Sequence, residues 1–478
     1  MQFNSLAFAV FIAVVLPLYF ALGRWGRLRL QNLFVLAASY CFYGWWDWRF
    51  LGLLAVSTVL DYSVGRAMER SLANSAADRA PRWMLALSVV INLGILGFFK
   101  YWNFFVEGAS SALEGLGFEA NMPLLKVILP VGISFYTFQT IAYTYSVYRR
   151  EVKATTDFVA FAVYVAYFPQ LVAGPIERAT RLLPQILAPR VVTRSKFASG
   201  FQLVLLGLFK KIVIADAAAA YVEVVFNDPS GASSGSLLLG VYMFALQIYG
   251  DFSGYTDIAR GVSRCLGIEL MVNFRQPYFA SNITDFWRRW HISLSTWLRE
   301  HLYIPLGGNR HGAWLTYRNL MLTMLLGGLW HGAGWNFVVW GGLHGCYLAV
   351  HRSCIGRRTD AELAATGAFR RLIGTLVTFH LVCLAWIFFR ADTIEGAWQV
   401  ITGICARSSH GLELVPWFSL WLVGLTAAVD YVCIRREGCD TVPLTRSLFL
   451  NSLVYGAAIV LMLVANSPGD VPFIYFQF

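Results

Sequence analysis

Charged residues are scarce in this sequence. Only 14% of its 478 residues are Asp, Glu, Lys or Arg, whereas 57% are hydrophobic, and the mean hydropathy is +0.56. Because a soluble domain carries about 25% charged residues, this composition excludes an ordinary soluble protein. It predicts an all-α polytopic membrane protein, which we expect to form a single integral-membrane domain over residues 1–478.

Paired cysteines and clustered metal ligands are also lacking. The eight cysteines stand singly, with no C-x-x-C pair, so neither a disulfide framework nor a zinc site is expected. The histidines show no H-E-x-x-H or comparable spacing, and no metal is expected. The net charge of +11 comes from basic residues clustered in short loops between apolar runs. This pattern sets orientation in a membrane and does not indicate nucleic-acid binding.

Apolar runs close to the length of roughly 17–25 residues that crosses a bilayer are abundant. They predict ten crossings, with both chain ends outside, at residues 6–22, 32–46, 50–65, 83–105, 126–147, 199–222, 236–258, 372–389, 417–434 and 449–466. Two further apolar runs, 157–173 and 319–351, have basic residues on both flanks. A full crossing would place one basic cluster outside, so we expect each run to be a hairpin or re-entrant segment, the first of them broken at FPQLVAGP.

The segment FASNITDFWRRWHISLSTWLREHLYIPLGGNR, residues 279–310, interleaves tryptophans with basic residues. At helical spacing, Trp287, Trp290 and Leu294 share one face, which predicts an amphipathic helix at the cytoplasmic interface. Such a helix could be a plain membrane anchor, or its arginines could hold an anionic donor such as a phosphate-bearing thioester. The candidate donor-binding residues are Asn282, Asp285, Arg288, Arg289 and Trp290.

A second unusual stretch, LLGGLWHGAGWNF, places His331 beside Trp330 and among glycines inside an apolar run. A histidine in such a run can be a hydrogen-bonded structural residue. Ionisable groups within a membrane are nevertheless costly and indicate function, and a neutral imidazole can take a proton from an attacking hydroxyl. The glycines predict a helix break at this point.

Two acidic residues, Asp251 and Asp257 in GDFSGYTDIARG, also lie in an apolar run. We expect them to pair with arginines, although they are also candidates for the lining of a tunnel. Two classes of function fit all these features: acyl transfer, and secondary transport or flipping of a lipid-linked or polar solute through broken helices. Such a transporter tends to show repeated halves, and no internal repeat is visible.

Several motifs together resemble those of the membrane-bound O-acyltransferase (MBOAT) family, in particular its alginate O-acetylation branch. They are LAASYCFYGWWD, FFKYWNFF, LPVGISFYTFQTIAYTYSVYR, YFPQLVAGPIER, QIYGDFSGYTDIARG, FWRRWHISLSTWLREHLYIPLGGNR, MLLGGLWHGAGWNFVVWGGLHG and the terminal PFIYFQF. The resemblance implies about ten or more transmembrane helices, with re-entrant and interfacial helices, around a central tunnel. It also implies that His331 is the catalyst and His291 the second active-site histidine, with Trp330 beside them in the tunnel.

The same resemblance implies an O-acetyltransferase of the bacterial inner membrane. An acetyl group would pass from a cytoplasmic thioester, acetyl-CoA or another acyl donor, to an extracytoplasmic polysaccharide, with no bound cofactor. The chain carries no G-x-S-x-G elbow, so a periplasmic SGNH or esterase-like partner would be supplied in trans. One departure from close members of the family is Ser146, where they carry an acidic residue before VYR.

Overall fold

The computed structural model describes residues 1–74, 80–118, 123–125, 128–355, 367–406, 416–435, 448–465 and 473–474. These residues fold almost entirely into helices, as the composition predicts. They cluster into two compact units, Met1–Phe201 with Ala259–Met271 and Gln202–Ile258 with Val272–Phe478. A single domain over residues 1–478 stays a prediction.

The first unit begins with long apolar helices and continues with shorter, more deeply buried ones. Its helices are α1 (Leu6–Arg24), α2 (Leu28–Asp47), α3 (Leu51–Ala73), α4 (Arg82–Leu96), α5 (Trp102–Gly115), α6 (Ile133–Tyr148), α7 (Phe158–Ala166), α8 (Phe168–Leu171) and α9 (Ala179–Leu187). A π-helical turn, Gly97–Tyr101, joins α4 to α5.

The boundary between the units falls within two helices, α10 (Arg194–Phe209) and α12 (Ser234–Cys265). The second unit also contains α11 (Ala217–Asn227), α13 (Ile283–Arg289), α14 (Ile292–Leu298), α15 (Ala313–His331), α16 (Trp335–Ile355), α17 (Ala368–Arg390), α18 (Ile394–Cys405), α19 (Pro416–Arg435) and α20 (Leu448–Ala465). A π-helical segment, Lys210–Asp216, precedes α11.

Five helical stretches among the described residues are long and apolar enough to cross a membrane. They are Leu6–Arg24, Leu28–Ala73, Arg82–Gly115, Ser234–Cys265 and Ala368–Arg390. The chain is therefore a multi-pass membrane protein, whereas the count of ten crossings stays a prediction. The predicted start of span 126–147, the end of span 449–466 and most of the terminal PFIYFQF lie outside the described residues.

The run 157–173 is interrupted at Tyr167, between α7 and α8, immediately before the stretch FPQLVAGP where the break was predicted. Both short helices are buried in the protein, and two glutamine side chains form hydrogen bonds with the backbone near the interruption. Gln139 and Gln170 both donate to the carbonyl oxygen of Tyr164, at 2.5 and 2.9 Å. Irregular backbone in a membrane protein is tolerated when its polar groups are satisfied in this way. Whether the segment is re-entrant stays a prediction.

The second predicted hairpin is formed by α15 and α16, which pack closely against each other. α15 ends at His331, and a turn through Gly332–Gly334 leads into α16, so the glycine-rich break lies where the sequence places it. Close approach of the two helices depends on glycine. A methyl group on Gly328 would overlap the carbonyl oxygen of Phe337, and one on Gly341 would overlap that of Met324.

We expect Gly341→Ala to lower the free energy of unfolding by about 2 kcal/mol, because backbone atoms oppose the added methyl group and cannot rotate away. The matched control is Gly342→Ala, one residue further on, where the nearest atom would be a flexible Leu325 methyl at 3.6 Å. Unfolding of both variants in mixed micelles under increasing sodium dodecyl sulfate measures the difference. Equal stability of the two variants would contradict the tight α15–α16 packing.

Candidate active site

The tryptophan-rich segment is two short helices and not the single amphipathic helix that its periodicity predicts. α13 ends at Arg289, α14 begins at Ile292, and the chain turns sharply at His291, whose φ of 43° lies in the left-handed region. That conformation costs about 1–3 kcal/mol for a residue other than glycine and persists only where surrounding contacts enforce it. The prediction of one continuous helix was wrong because a tertiary contact interrupts the helix.

That contact is made by Asn273. Its backbone oxygen accepts from the N–H of Ile292 at 2.9 Å, and its side-chain oxygen accepts from the N–H and the hydroxyl of Ser293 at 3.1 and 3.0 Å. These bonds hold the first turn of α14 against the loop before α13. They also fix the orientation of the Asn273 amide, since a backbone N–H can only donate.

The same amide oxygen fixes the tautomer of His291. The Nδ1 atom of His291 lies 3.3 Å from Asn273 Oδ1, and an amide oxygen can only accept, so Nδ1 carries the proton and Nε2 the lone pair. His291 is fully buried, and burial lowers its pKa to about 3. The ring is therefore neutral at physiological pH and can accept a proton at Nε2.

His331 and His291 lie close together although 40 residues separate them in sequence. Their ring centroids are 6.4 Å apart, and both side chains are buried. His331 is the last residue of α15, where the helix stops at the glycine turn. Three aromatic rings surround its imidazole, those of Trp330, Trp340 and Phe389, with centroids at 5.0, 5.1 and 5.3 Å.

Trp330 joins the two histidines, because its ring lies 6.1 Å from that of His291 and 5.0 Å from that of His331. On the other side of His291, the ring of Phe252 on α12 meets the imidazole edge-on at 4.7 Å. The pair of imidazoles is thus enclosed by aromatic surface. A low-dielectric enclosure strengthens hydrogen bonds to any polar group that enters it.

The predicted donor-binding residues of α13 occupy different environments. Trp290 is buried, and its ring stacks on that of Phe286 at 5.7 Å, so it belongs to the packed interior. Arg289 pairs with Asp285 at 2.9 Å, one helical turn away. Asn282 caps α13 by accepting from the Asp285 N–H. Arg288 is exposed and is therefore the residue of this group best placed to meet a ligand from solvent.

The acidic pair on α12 faces lysines. Asp251 lies 2.9 Å from Lys211, and Asp257 lies 2.7 Å from Lys210. Both lysines belong to the π-helical segment before α11. For Asp251 the expectation of an arginine partner was wrong, because its pairing with Lys211 is set by this local distortion of the helix, which leaves no periodic signal in the sequence.

Two contributors to the site were missed by sequence reasoning. Asn273 lies in a loop 18 residues before His291, and its only signal is that it stands alone as a polar residue in the run LMVNF. His344 on α16 packs 4.8 Å from the ring of Trp340, next to the His331 enclosure. No group of three or more His, Cys, Asp or Glu side chains that could hold a metal is found among the described residues.

Two buried, adjacent imidazoles in an apolar helical protein define a site suited to acid–base chemistry within a membrane. The chain matches the MBOAT, membrane-bound O-acyltransferase family over residues 45–391. It therefore belongs to that family and is an acyltransferase. Family membership decides against the transporter interpretation.

Curated relatives agree with this assignment. The chain is 44% identical to a probable alginate O-acetylase AlgI of Azotobacter vinelandii, over 82% of this chain and 76% of that protein. It is 39% identical to a probable alginate O-acetylase AlgI of Pseudomonas putida, over 98% and 99% of the two chains. A peptidoglycan O-acetyltransferase of Helicobacter pylori is 36% identical over 84% of this chain and 80% of its own length.

Proposed function

We propose that this protein is an O-acetyltransferase of the bacterial inner membrane that passes an acetyl group from a cytoplasmic thioester to an extracytoplasmic polysaccharide. The relatives act on alginate and on peptidoglycan, so the acceptor is a polysaccharide of that kind. A periplasmic esterase-like partner completes the transfer to the polymer. The observation that carries the proposal is the pair of buried imidazoles, His291 and His331, 6.4 Å apart at two helix breaks.

The chemistry requires a base that is neutral before the reaction. The hydroxyl that receives the acetyl group, on the partner that passes it on or on the polysaccharide itself, gives its proton to the imidazole of His331 while its oxygen attacks the thioester carbonyl carbon. The carbon–sulfur bond then breaks, and the proton passes from His331 to the departing thiolate, so that an ester and a free thiol are formed. His291, with its lone pair at Nε2, accepts a hydrogen bond that orients the reacting groups.

The distribution of charge supports the proposed direction of transfer. Basic residues flank the α13–α14 segment, which the positive-inside rule places at the cytoplasmic side. The exposed Arg288 on α13 carries the fixed positive charge of a guanidinium, which suits binding of a phosphate-bearing donor. The acceptor enters from the opposite face.

The test is transfer across a sealed membrane. Purified protein is placed in liposomes with acetyl-CoA labelled in the acetyl group on one face and a soluble alginate-type oligosaccharide, with its esterase-like partner, on the other. We expect label in the far-side acceptor together with an equal amount of free thiol. Intact solute crossing without thiol release would instead indicate a transporter.

The role of His291 predicts a specific effect of Asn273→Ala. Without its partner at Nδ1, the imidazole can adopt either tautomer and rotate. We therefore expect kcat for acetyl transfer to fall about tenfold, which corresponds to the free energy of about one buried hydrogen bond. Asn273→Asp keeps an acceptor oxygen and serves as the matched variant, with a smaller loss. Nitrogen NMR of labelled histidine reports the tautomer directly. An unchanged kcat in Asn273→Ala would remove His291 from the proposed mechanism.

A further inference from the structure

A buried polar cluster lies in the first unit and takes no part in the proposed mechanism. It consists of Ser57 and Asp61 on α3, Ser88 and Asn92 on α4, and Thr144 on α6, and we call it the Asp61 cluster. Each of these residues is at most 1% exposed. α3 and α4 lie in stretches long and apolar enough to cross a membrane. An ionisable residue in such a position is costly and by default indicates a functional site.

Neutral hydroxyl and amide groups surround the Asp61 carboxyl. Its Oδ1 lies 2.5 Å from Ser88 Oγ, and its Oδ2 accepts from Asn92 Nδ2 at 2.8 Å. The hydroxyl of Thr140 also bonds to the carboxyl. The Asn92 amide has a fixed orientation, because its Nδ2 donates to the backbone oxygen of Ser88 at 3.0 Å and its Oδ1 accepts from the Ser57 hydroxyl at 2.5 Å. The Oδ2 atom of Asp61 is therefore an acceptor.

No positively charged side chain pairs with Asp61 among the described residues. Arg66 and Glu69, one to two turns further along α3, both bind the backbone of Ala154. A carboxylate buried without a counter-charge is unfavourable, because no neighbouring charge offsets its loss of hydration. The other titratable or charged side chains on the surrounding helices are Tyr62 and Arg70 on α3, Arg82 on α4, Tyr136, Tyr143, Tyr145 and Tyr148 on α6, and Tyr164 on α7.

The number of hydrogens needed by the cluster indicates its protonation state. Three oxygen–oxygen contacts follow one another: Asp61 Oδ1 to Ser88 Oγ at 2.5 Å, Ser88 Oγ to Thr144 Oγ1 at 3.0 Å, and Thr144 Oγ1 to the backbone oxygen of Ile141 at 3.1 Å. The two hydroxyls supply two hydrogens, and the backbone oxygen can only accept. A hydrogen for every contact therefore requires one on Asp61 Oδ1. With a carboxylate, one contact would bring two lone pairs together.

We infer that Asp61 is a proton-binding site whose protonated carboxyl joins α3 to α4 and α6. Its Oδ1–H donates to Ser88, Ser88 in turn donates to Thr144, and Oδ2 accepts from Asn92. Release of the proton leaves a charge among neutral groups and removes one hydrogen from the chain of contacts. The three helices are therefore held together most firmly when the proton is bound. This inference goes beyond the proposed function and does not depend on it.

The pH dependence of stability tests the inference. In Asp61→Asn the introduced amide can donate to Ser88 and accept from Asn92, so it imitates the protonated carboxyl without titrating. Both full-length proteins are unfolded by sodium dodecyl sulfate in mixed micelles between about pH 6 and pH 8, where an aspartate exposed by unfolding is ionised. A folded state that keeps one extra proton loses stability as the pH rises, by about tenfold in the unfolding equilibrium constant per pH unit. We expect the wild-type slope to exceed that of Asp61→Asn by about this amount.

Infrared spectroscopy detects the proton itself. The wild type at neutral pH should show the carbonyl band of a protonated carboxylic acid, and Asp61→Asn should lack this band. Ser88→Ala removes the acceptor of the Asp61 proton, so the band should persist at a shifted frequency. The control is Asp47→Asn, at a carboxylate that pairs with Arg49 at 2.5 Å. This control should leave both the band and the pH slope unchanged.

Three results would overturn the inference. The first is an equal pH slope in the wild type and in Asp61→Asn. The second is a wild-type spectrum without an acid band, or with one that Asp61→Asn leaves unchanged. The third is an Asp61→Asn protein that does not fold, or that is more than about tenfold easier to unfold at the lower pH, since the amide supplies the hydrogen bonds of the protonated carboxyl.

Discussion

Replacing His331 by alanine is expected to abolish acetyl transfer while the protein remains folded in the membrane. General-base catalysis contributes about 10²–10⁴-fold to a rate, and no second base among the described residues occupies the place of His331 at the end of α15. His291 lies 6.4 Å away between ring centroids and is held by Asn273, so it cannot move into that place. We expect kcat to fall by about a thousandfold, with the KM for the thioester changed little.

A matched control separates catalysis from general damage. His380→Ala removes a histidine from an exposed position on α17, where its ring contacts the hydroxyl of Tyr242 at 2.9 Å. This variant should keep the wild-type rate. Both variants are compared in liposomes by release of free thiol and by label in the acceptor. A His331→Ala protein that transfers acetyl at the wild-type rate would show that the catalytic assignment is wrong.

Some parts of this site follow from the sequence for simple physical reasons. The break after His331 was predicted because clustered glycines loosen a helix, and α15 does end at that residue. A break at FPQLVAGP was predicted from charge on both flanks of an apolar run, and α7 stops at Ala166, immediately before that stretch. Both features are local, and local composition is what a single sequence displays.

Other parts depend on tertiary contacts, which produce no periodic pattern of residue types in the sequence. The spacing of Trp287, Trp290 and Leu294 is helical, yet the chain turns at His291 because Asn273 bonds to Ile292 and Ser293 from another loop. The proximity of His291 and His331 was implied by family resemblance alone, since no spacing rule brings residues 40 apart into one site.

Replacing Lys211 by methionine is expected to destabilise the protein more than Gly341→Ala does. Lys211 Nζ lies 2.9 Å from Asp251 and 2.8 Å from Asp216, and its side chain is only 7% exposed. Asp251 also accepts from the N–H of Ile474 at 2.6 Å, which ties Ile474 to α12. Removing the ammonium leaves two carboxylates without their shared counter-charge in an apolar interior, at a cost of about 3–5 kcal/mol.

Denaturation in mixed micelles measures this loss, and Lys196→Met, at an exposed lysine of α10, should change the free energy of unfolding by less than about 0.5 kcal/mol. The double variant Lys211→Met with Asp251→Asn isolates the cause. Because the asparagine introduced at position 251 carries no charge and still accepts from Ile474, the loss in the double variant should be well below the sum of the two single losses. Additivity within about 0.5 kcal/mol would mean that the ion pair does not hold α12 to the π-helical segment, and that Lys211 acts by packing alone.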